Sequence, residues 1–253
     1  MTEEAAVQTI RLEQTLIIGL NRPAKRNAIN AAVTRGIDEA LNLLEDDDDL
    51  WCAVITGGPA VFCAGVDLAE GPGDPTERGG QAGIITRSRT KPLIAAVEGN
   101  ALGGGLEIVL SCDLVVASRT AAFGLPEVKR GLLAGFGGVF RAPRALPANV
   151  ARELALTGES IDAERAERLG FVNRLVEPGL ALDTALGLAA TICGNAPLAV
   201  RESLALAHQE INGDESESWR ASDAALGRLF ETADLAEGVN AFLERRDPVW
   251  TAR

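Results

Sequence analysis

The chain has 253 residues, 47% apolar and 24% charged, with a net charge of −12, enough apolar material for one large core or a core with an appendage. The acidic balance argues against nucleic acid as a partner, and any anionic substrate must find local basic residues. No apolar run approaches the length of a membrane span, and the acidic start, MTEEAAVQTI, lacks the flank and centre of a signal peptide.

The four cysteines, Cys52, Cys63, Cys112 and Cys193, are scattered without metal-ligand spacing. The expectation is a reduced, cytoplasmic setting with no metal and no membrane partner. From Val7 to Leu20 the sequence alternates and then runs apolar, which predicts a β-hairpin broken by Asn21-Arg22-Pro23. Asn30 is placed to cap a helix over Ala31 to Glu45, with Val33, Ile37, Ala40, Leu41 and Leu44 on one face. The run Asp46 to Asp49 lacks the spacing of a calcium loop and reads as a solvated turn. Trp51 to Thr56 is a strand, and Phe62 to Asp67 is a short apolar segment ending in a glycine turn. Gly71 to Gly83, rich in Gly and Pro, is expected to be a mobile loop.

The centre of the chain is Gly99 to Val115, GNALGGGLEIVLSCDLV. The strand-length run Leu93 to Val97 precedes it, Ile108 to Leu110 begin a helical pattern, and Asp113 to Ala117 is a further strand. Between them stand Gly103, Gly104 and Gly105, so that backbone N–H groups are exposed at the positive end of a helix dipole. The glycine spacing does not fit a dinucleotide fingerprint, and Leu106 stands where a phosphate loop needs lysine. What remains is an anion pocket with a carboxylate, Glu107, beside it. Phe123 to Gly138 holds five glycines and few helix signals, and reads as a structured loop wrapping a site.

Beyond Pro147 helical patterns dominate: Asn149 to Leu156, Asp162 to Leu169, Leu180 to Cys193, Pro197 to Gln209, and Glu215 to Phe242 with an interruption. Only Val172 to Val176 still reads as a strand. The result is an α/β core with a helical C-terminal part. Basic clusters available to an anionic ligand are Arg22, Lys25 and Arg26; Arg87, Arg89 and Lys91; and Arg245 with Arg246. The single histidine, His208, falls in a helix far from the glycine turn and reads as a surface residue, and no G-x-S-x-G is present.

Four segments, Lys91 to Ser118, Phe62 to Leu68 (FCAGVDL), Phe123 to Leu132 (FGLPEVKRGL) and Leu156 to Val176, resemble the crotonase family in order and spacing. The likeness runs from about Val7 to the C-terminus. LPEVKRGL and the ending ERRDPVW are most similar to the carnitinyl-CoA dehydratase branch. The resemblance implies a spiral of ββα units over residues 1–195 with the active site. It also implies a helical region, 196–253, that builds a homotrimer or a dimer of trimers. The amides of Val66 and Gly104 would form an oxyanion hole, with Glu107 and Glu127 as the catalytic carboxylates. Arg22, Ala24, Arg26, Ala64, Asp67 and Leu68 would lie against coenzyme A, and Arg245 would reach its phosphates from a neighbouring subunit. No separate cofactor is implied, because coenzyme A arrives as part of the substrate.

The chemistry fits those positions. Adding water to a 2-enoyl thioester puts enolate charge on the thioester oxygen, and one amide donor to such an oxygen is worth about 3 kcal/mol. A pair of close carboxyls pushes its own pKa values apart, one ionised and one protonated. Glu107 is assigned to hold and activate water, Glu127 to exchange the α-proton. The alternative for Glu127 is a turn carboxylate paired with Lys129 or Arg130. The expected activity is hydration of 2-enoyl-CoA to 3-hydroxyacyl-CoA. Its rivals are crotonobetainyl-CoA hydration, enoyl-CoA isomerisation and acyl-CoA binding without catalysis. Possession of both glutamates favours hydration. A quaternary ammonium substrate would profit from an aromatic cage, whereas the chain has no tyrosine, Val66 stands where the carnitinyl branch tends to carry tryptophan, and Phe136 alone makes no cage.

Overall fold

The computed structural model describes residues 5–208, 224, 227–229 and 231–253. The predicted hairpin forms as β1 (Val7–Leu12) and β2 (Thr15–Leu20), antiparallel with Leu12 opposite Thr15. Asn30 Oδ1 accepts from the Val33 amide at 3.1 Å and starts α1 (Ala31–Asp46), whose predicted apolar face is buried. Next come β3 (Cys52–Thr56), β4 (Leu93–Val97), β5 (Asn100–Leu102), α2 (Gly104–Val109), β6 (Leu114–Ser118) and β7 (Ala122–Gly124).

β2, β3, β4 and β6 lie side by side in parallel, extended at the far edge by β9 (Arg174–Val176), so the large sheet runs β1-β2-β3-β4-β6-β9. Every residue of β3 and β4 is buried, as expected for parallel strands covered on both faces. One face (Ala53, Ile55, Ala95, Val97, Ala117) joins the main core. The other (Cys52, Val54, Ile94, Ala96, Val116) is covered by α6 (Ala181–Cys193), which presents Ala181, Ala185 and Ala189 at i, i+4 spacing and so comes close to the sheet.

β3, β4 and β6 are each followed by a short extended segment in a second layer. Cys63 pairs with Ala101 of β5, Ala101 with Phe123 of β7, and Phe123 with Ile161 of β8 (Ser160–Asp162). A helix or 3-10 turn then returns the chain to the next long strand, giving a crotonase-like spiral of ββα units. β5, β7 and β8 are three residues each, too short to carry a periodic signal, and their pairing is tertiary.

Two expectations change. Gly71 to Gly83 is not an open loop: Thr76 and Gly80 form a bridge, a 3-10 turn spans Gln81–Gly83, and Ala82 and Gly83 are buried against α1. The second half of the Gly-rich segment after Phe123 leads into α3 (Gly138–Ala145), hidden in the sequence by its glycine start and by Pro143. Tertiary packing against α4 (Ala148–Thr157), with Ala142, Leu146 and Val150 in the core, overrides that poor propensity. The C-terminal helices α5 (Ala163–Arg168), α7 (Pro197–His208) and α8 (Ala233–Glu244) match predicted segments, while residues 215–223, 225, 226 and 230 of the last one lie outside the described residues. Among the described residues no helix is long and apolar enough to cross a membrane.

Candidate active site

The site grows from the turn between β5 and α2. Gly103 (φ +54°, ψ −125°) bends the chain in a way closed to L-residues, and a side chain there would come within 2.9 Å of Glu127 Oε1. Gly104 is the first residue of α2, so its amide has no partner within the helix. Facing it is the turn at Gly65 (φ +100°), where a Cβ would lie 2.9 Å from Leu102 O and 3.5 Å from Gly104 N. Only glycine lets these two backbones approach.

The bridge between Ile29 and Val66 uses the amides of Ile29 (to Gly65 O, 2.8 Å) and Asp67 (to Ile29 O, 2.9 Å). That pattern leaves the Val66 amide outside the ladder. Among the described residues neither the Val66 nor the Gly104 amide donates to a protein acceptor. Both residues line a cavity of about 740 Å³ that also takes in Glu107, Glu127, Leu133 and Phe136.

Glu107, one turn into α2, is 2% exposed, and its Oε1 accepts from the Gly138 amide at 2.8 Å. Burial pushes its pKa up to about 7, and the Glu127 charge adds to the rise against the opposing pull of the Gly138 and Phe136 amides and of Arg141. Burial also raises Glu127, with Arg130 pulling the other way. Neither basic neighbour forms an ion pair with Glu127: Lys129 binds Glu159 at 2.6 Å, and Arg130 donates to Pro126 O at 3.2 Å. Glu127 Oε2 is buried without a hydrogen-bond partner, and such an atom in a cavity wall is a place for a polar atom of a ligand or for water.

The basic residues sort differently from expectation. Arg22, expected against coenzyme A, turns inward to Ala28 O (2.8 Å), Asp67 (3.2 Å) and Glu70 (3.0 Å). Asp67 lines the cavity, but its carboxylate is occupied by Arg22 and the amides of Ala69 and Glu70. This pair ties the 67–70 loop to the 22–28 segment; neither side chain is turned to a ligand. Arg87 binds Asp38, Arg89 binds Asp113, and Lys91 donates to Leu44 O and Asp47 O, both at 2.7 Å. Arg245 lies exposed just after α8 and does not line the cavity of its own chain, and Arg246 binds Glu237 and Glu244. Ala24, Arg26, Ala64 and Leu68 do line the cavity, as does Lys25. Among the described residues neither Lys25 nor Arg26 makes an ion pair, nor does Arg130, which also lines the cavity, so positive charge for a ligand is left on these three residues.

The sequence model of the enoyl-CoA hydratase/isomerase family matches residues 12–253. The chain belongs to that family, the crotonases. The crystal structure of enoyl-CoA hydratase from Mycobacterium tuberculosis H37Rv superposes with a TM-score of 0.95 at 47% identity, covering 99% of this chain and 100% of that one. Mevalonyl-coenzyme A hydratase of Aspergillus fumigatus is 42% identical over 93% of this chain and 90% of its own length. Carnitinyl-CoA dehydratase of Citrobacter koseri is 39% identical over 94% and 95%.

Within this crotonase the cavity gathers Val66, Gly104 with Glu107 of α2, and Glu127 from three separate stretches of chain. The Gly138 amide that holds Glu107 escaped sequence reasoning, although the glycine pair Gly137-Gly138 after a site loop was its signal. Lys25 stood in a basic cluster without being singled out, and Arg141 gave no signal at all. Phe136 is the one aromatic residue lining the cavity among those described. No cluster of His, Cys, Asp and Glu suited to a metal occurs among the described residues.

Proposed function

We propose that this protein adds water reversibly across the 2,3 double bond of an enoyl-CoA thioester, giving the 3-hydroxyacyl-CoA. The observation that carries this reading is a pair of carboxyls, buried Glu107 and half-buried Glu127, both with raised pKa and lining one cavity beside two amides without protein acceptors. The thioester oxygen accepts from the amides of Val66 and Gly104, and α2 adds its positive end to the enolate charge that develops there. Glu107, ionised, takes a proton from water as the water oxygen bonds to the β-carbon. Glu127, protonated, gives its proton to the α-carbon, and the thioester C=O re-forms. A base with a pKa of about 7 is well matched to neutral operation. The two carboxyls titrate as a coupled pair that holds one proton between its two steps.

Coenzyme A is assigned to the mouth formed by Ala24, Lys25, Arg26, Ala64 and Leu68, with the acyl chain inside. A crotonobetainyl substrate is disfavoured, since Phe136 by itself does not enclose a quaternary ammonium. A homotrimer or hexamer built by residues 196–253, with Arg245 reaching a neighbour's coenzyme, and a cytoplasmic location belong to the same reading.

The test is a turnover screen over enoyl-CoA chain lengths, crotonobetainyl-CoA included, followed at the enoyl absorbance. Crotonyl-CoA should lose its chromophore, and Glu107→Gln and Glu127→Gln should each slow that loss about 1,000-fold or more while still binding acyl-CoA. Binding of crotonyl-CoA by wild-type protein without any absorbance change would remove hydration of that substrate.

A further inference from the structure

α3 starts at Gly138, which holds Glu107, and three residues later carries Arg141, which is half-buried and does not line the cavity. Arg141 Nη1 donates to Ser111 Oγ at 2.7 Å, Ser111 Oγ donates to Glu107 O at 2.8 Å, and Nη2 donates to Ile85 O. The Arg141 amide donates to Gly137 O at 2.8 Å. One guanidinium thus ties the end of α2, the start of α3 and the segment after the Gln81–Gly83 turn to each other. Among the described residues it has no carboxylate within ion-pair distance, so its positive charge is not cancelled by a direct partner.

We propose that Arg141 is a positioning residue that holds α2 against α3 and favours the ionised form of Glu107. The inference rests on the hydration reading for its chemistry, but not for its electrostatics. The charged groups that bear on Glu107 are Glu127, which opposes its ionisation, and Arg141, which favours it. Arg130 acts in the same way on Glu127. Burial is the main cost of keeping Arg141 charged; the Glu107 charge offsets it, and Arg144 and Arg89 add to it. A cation held there at such cost stabilises a nearby anion more than it would in water. The ionised Glu107 is the form needed to accept a proton from water.

The experiment is a 13C titration of the Glu107 carboxyl in full-length protein labelled at glutamate, with Glu107→Gln identifying the signal, alongside crotonyl-CoA kinetics from pH 5.5 to 9. Arg141→Gln should move the Glu107 midpoint up by about one pH unit, move the acid limb of kcat the same way, and lower kcat at pH 7 about fivefold. KM should stay within about twofold, because Arg141 does not line the cavity. Arg141→Lys, which keeps the charge, should restore most of the midpoint. Ser111→Ala, which removes only the acceptor that aims the guanidinium, should give a smaller upward shift and serves where Arg141→Gln does not fold. An unchanged Glu107 midpoint in folded Arg141→Gln, or in Ser111→Ala where the former is unfolded, overturns the inference, as does a loss of kcat with no movement of the acid limb. A shifted midpoint in a protein that hydrates no enoyl-CoA would leave the inference standing and remove the hydration reading instead.

Discussion

Two carboxylates, Glu107 and Asp113, lie six residues apart on either side of the C-terminal end of α2, both largely buried, and they are driven in opposite directions. Burial lifts Glu107 to about 7, with two backbone amides and no ion pair to offset it. Burial acts upward on Asp113 as well, yet hydrogen bonds from His208 and Arg89 overcome it and hold the group at about 2. Arg89 donates to both Asp113 oxygens at 2.8 and 3.0 Å, His208 Nε2 donates at 2.8 Å, and the Leu93 amide donates at 2.7 Å. Depth therefore does not decide the charge of a buried acid; its donors do. Asp113 spends its charge on joining the start of β4, the segment before it and the end of α7. Glu107 is left short of donors, and a carboxyl in that condition can take up and release a proton near neutrality.

The contrast can be broken most severely at Asp113. Asp113→Asn should cost about 3–5 kcal/mol in a urea melt at pH 7, because Arg89 stays buried without its anion. A loss below about 1 kcal/mol would mean that the network holds less than its geometry implies. The opposite sign is expected at Glu107. Its folded pKa lies above the unfolded value, so the native state binds the extra proton and wild-type stability falls as pH rises from about 4.5 to about 7. Glu107→Gln removes that cost and should stabilise the protein by about 1–3 kcal/mol at pH 8, with little gain at pH 4.5, even as turnover collapses. Equal stability of the two proteins across that range would show that Glu107 is ordinary. For Asp113 the linkage runs the other way: its contribution is present above the unfolded pKa near 4 and is lost as pH falls toward 2. The smallest change is His208→Gln at the exposed rim of the network, about 0.5–1 kcal/mol by thermal melt at pH 7. A larger loss would place His208 among the residues that hold α7 in place.

His208 also marks where reading the sequence stopped short. As a helical residue with an exposed side chain it was legible; its bond to Asp113, 95 positions away, was not. Arg22 shows the same limit in the other direction. Its place in a basic cluster suggested a contact for an anionic substrate, and the cluster does stay together around the 3-10 turn Pro23–Lys25. In space Arg22 meets Asp67 and Glu70, and an internal partner outcompetes a ligand that must first give up freedom to bind. Glu127 lacks the ion pair that a turn carboxylate beside Lys129 would make, because Lys129 binds Glu159 instead.

Local chemistry is what the residue order settles without help. Asn30 starts α1 because its side chain satisfies an amide three residues on, and β3 and β4 form because uninterrupted apolar runs of that length need cover on both faces. The glycines at 103–105 announce a tight backbone approach, and the motif order places the chain in its family. The three-residue strands, α3 around Pro143, the partner of each arginine and the charge of each buried acid belong to the folded state alone. They depend on groups tens of residues apart, whose encounter no local spacing encodes. Solvent exclusion then multiplies the effect of every donor that arrives and of every donor that does not.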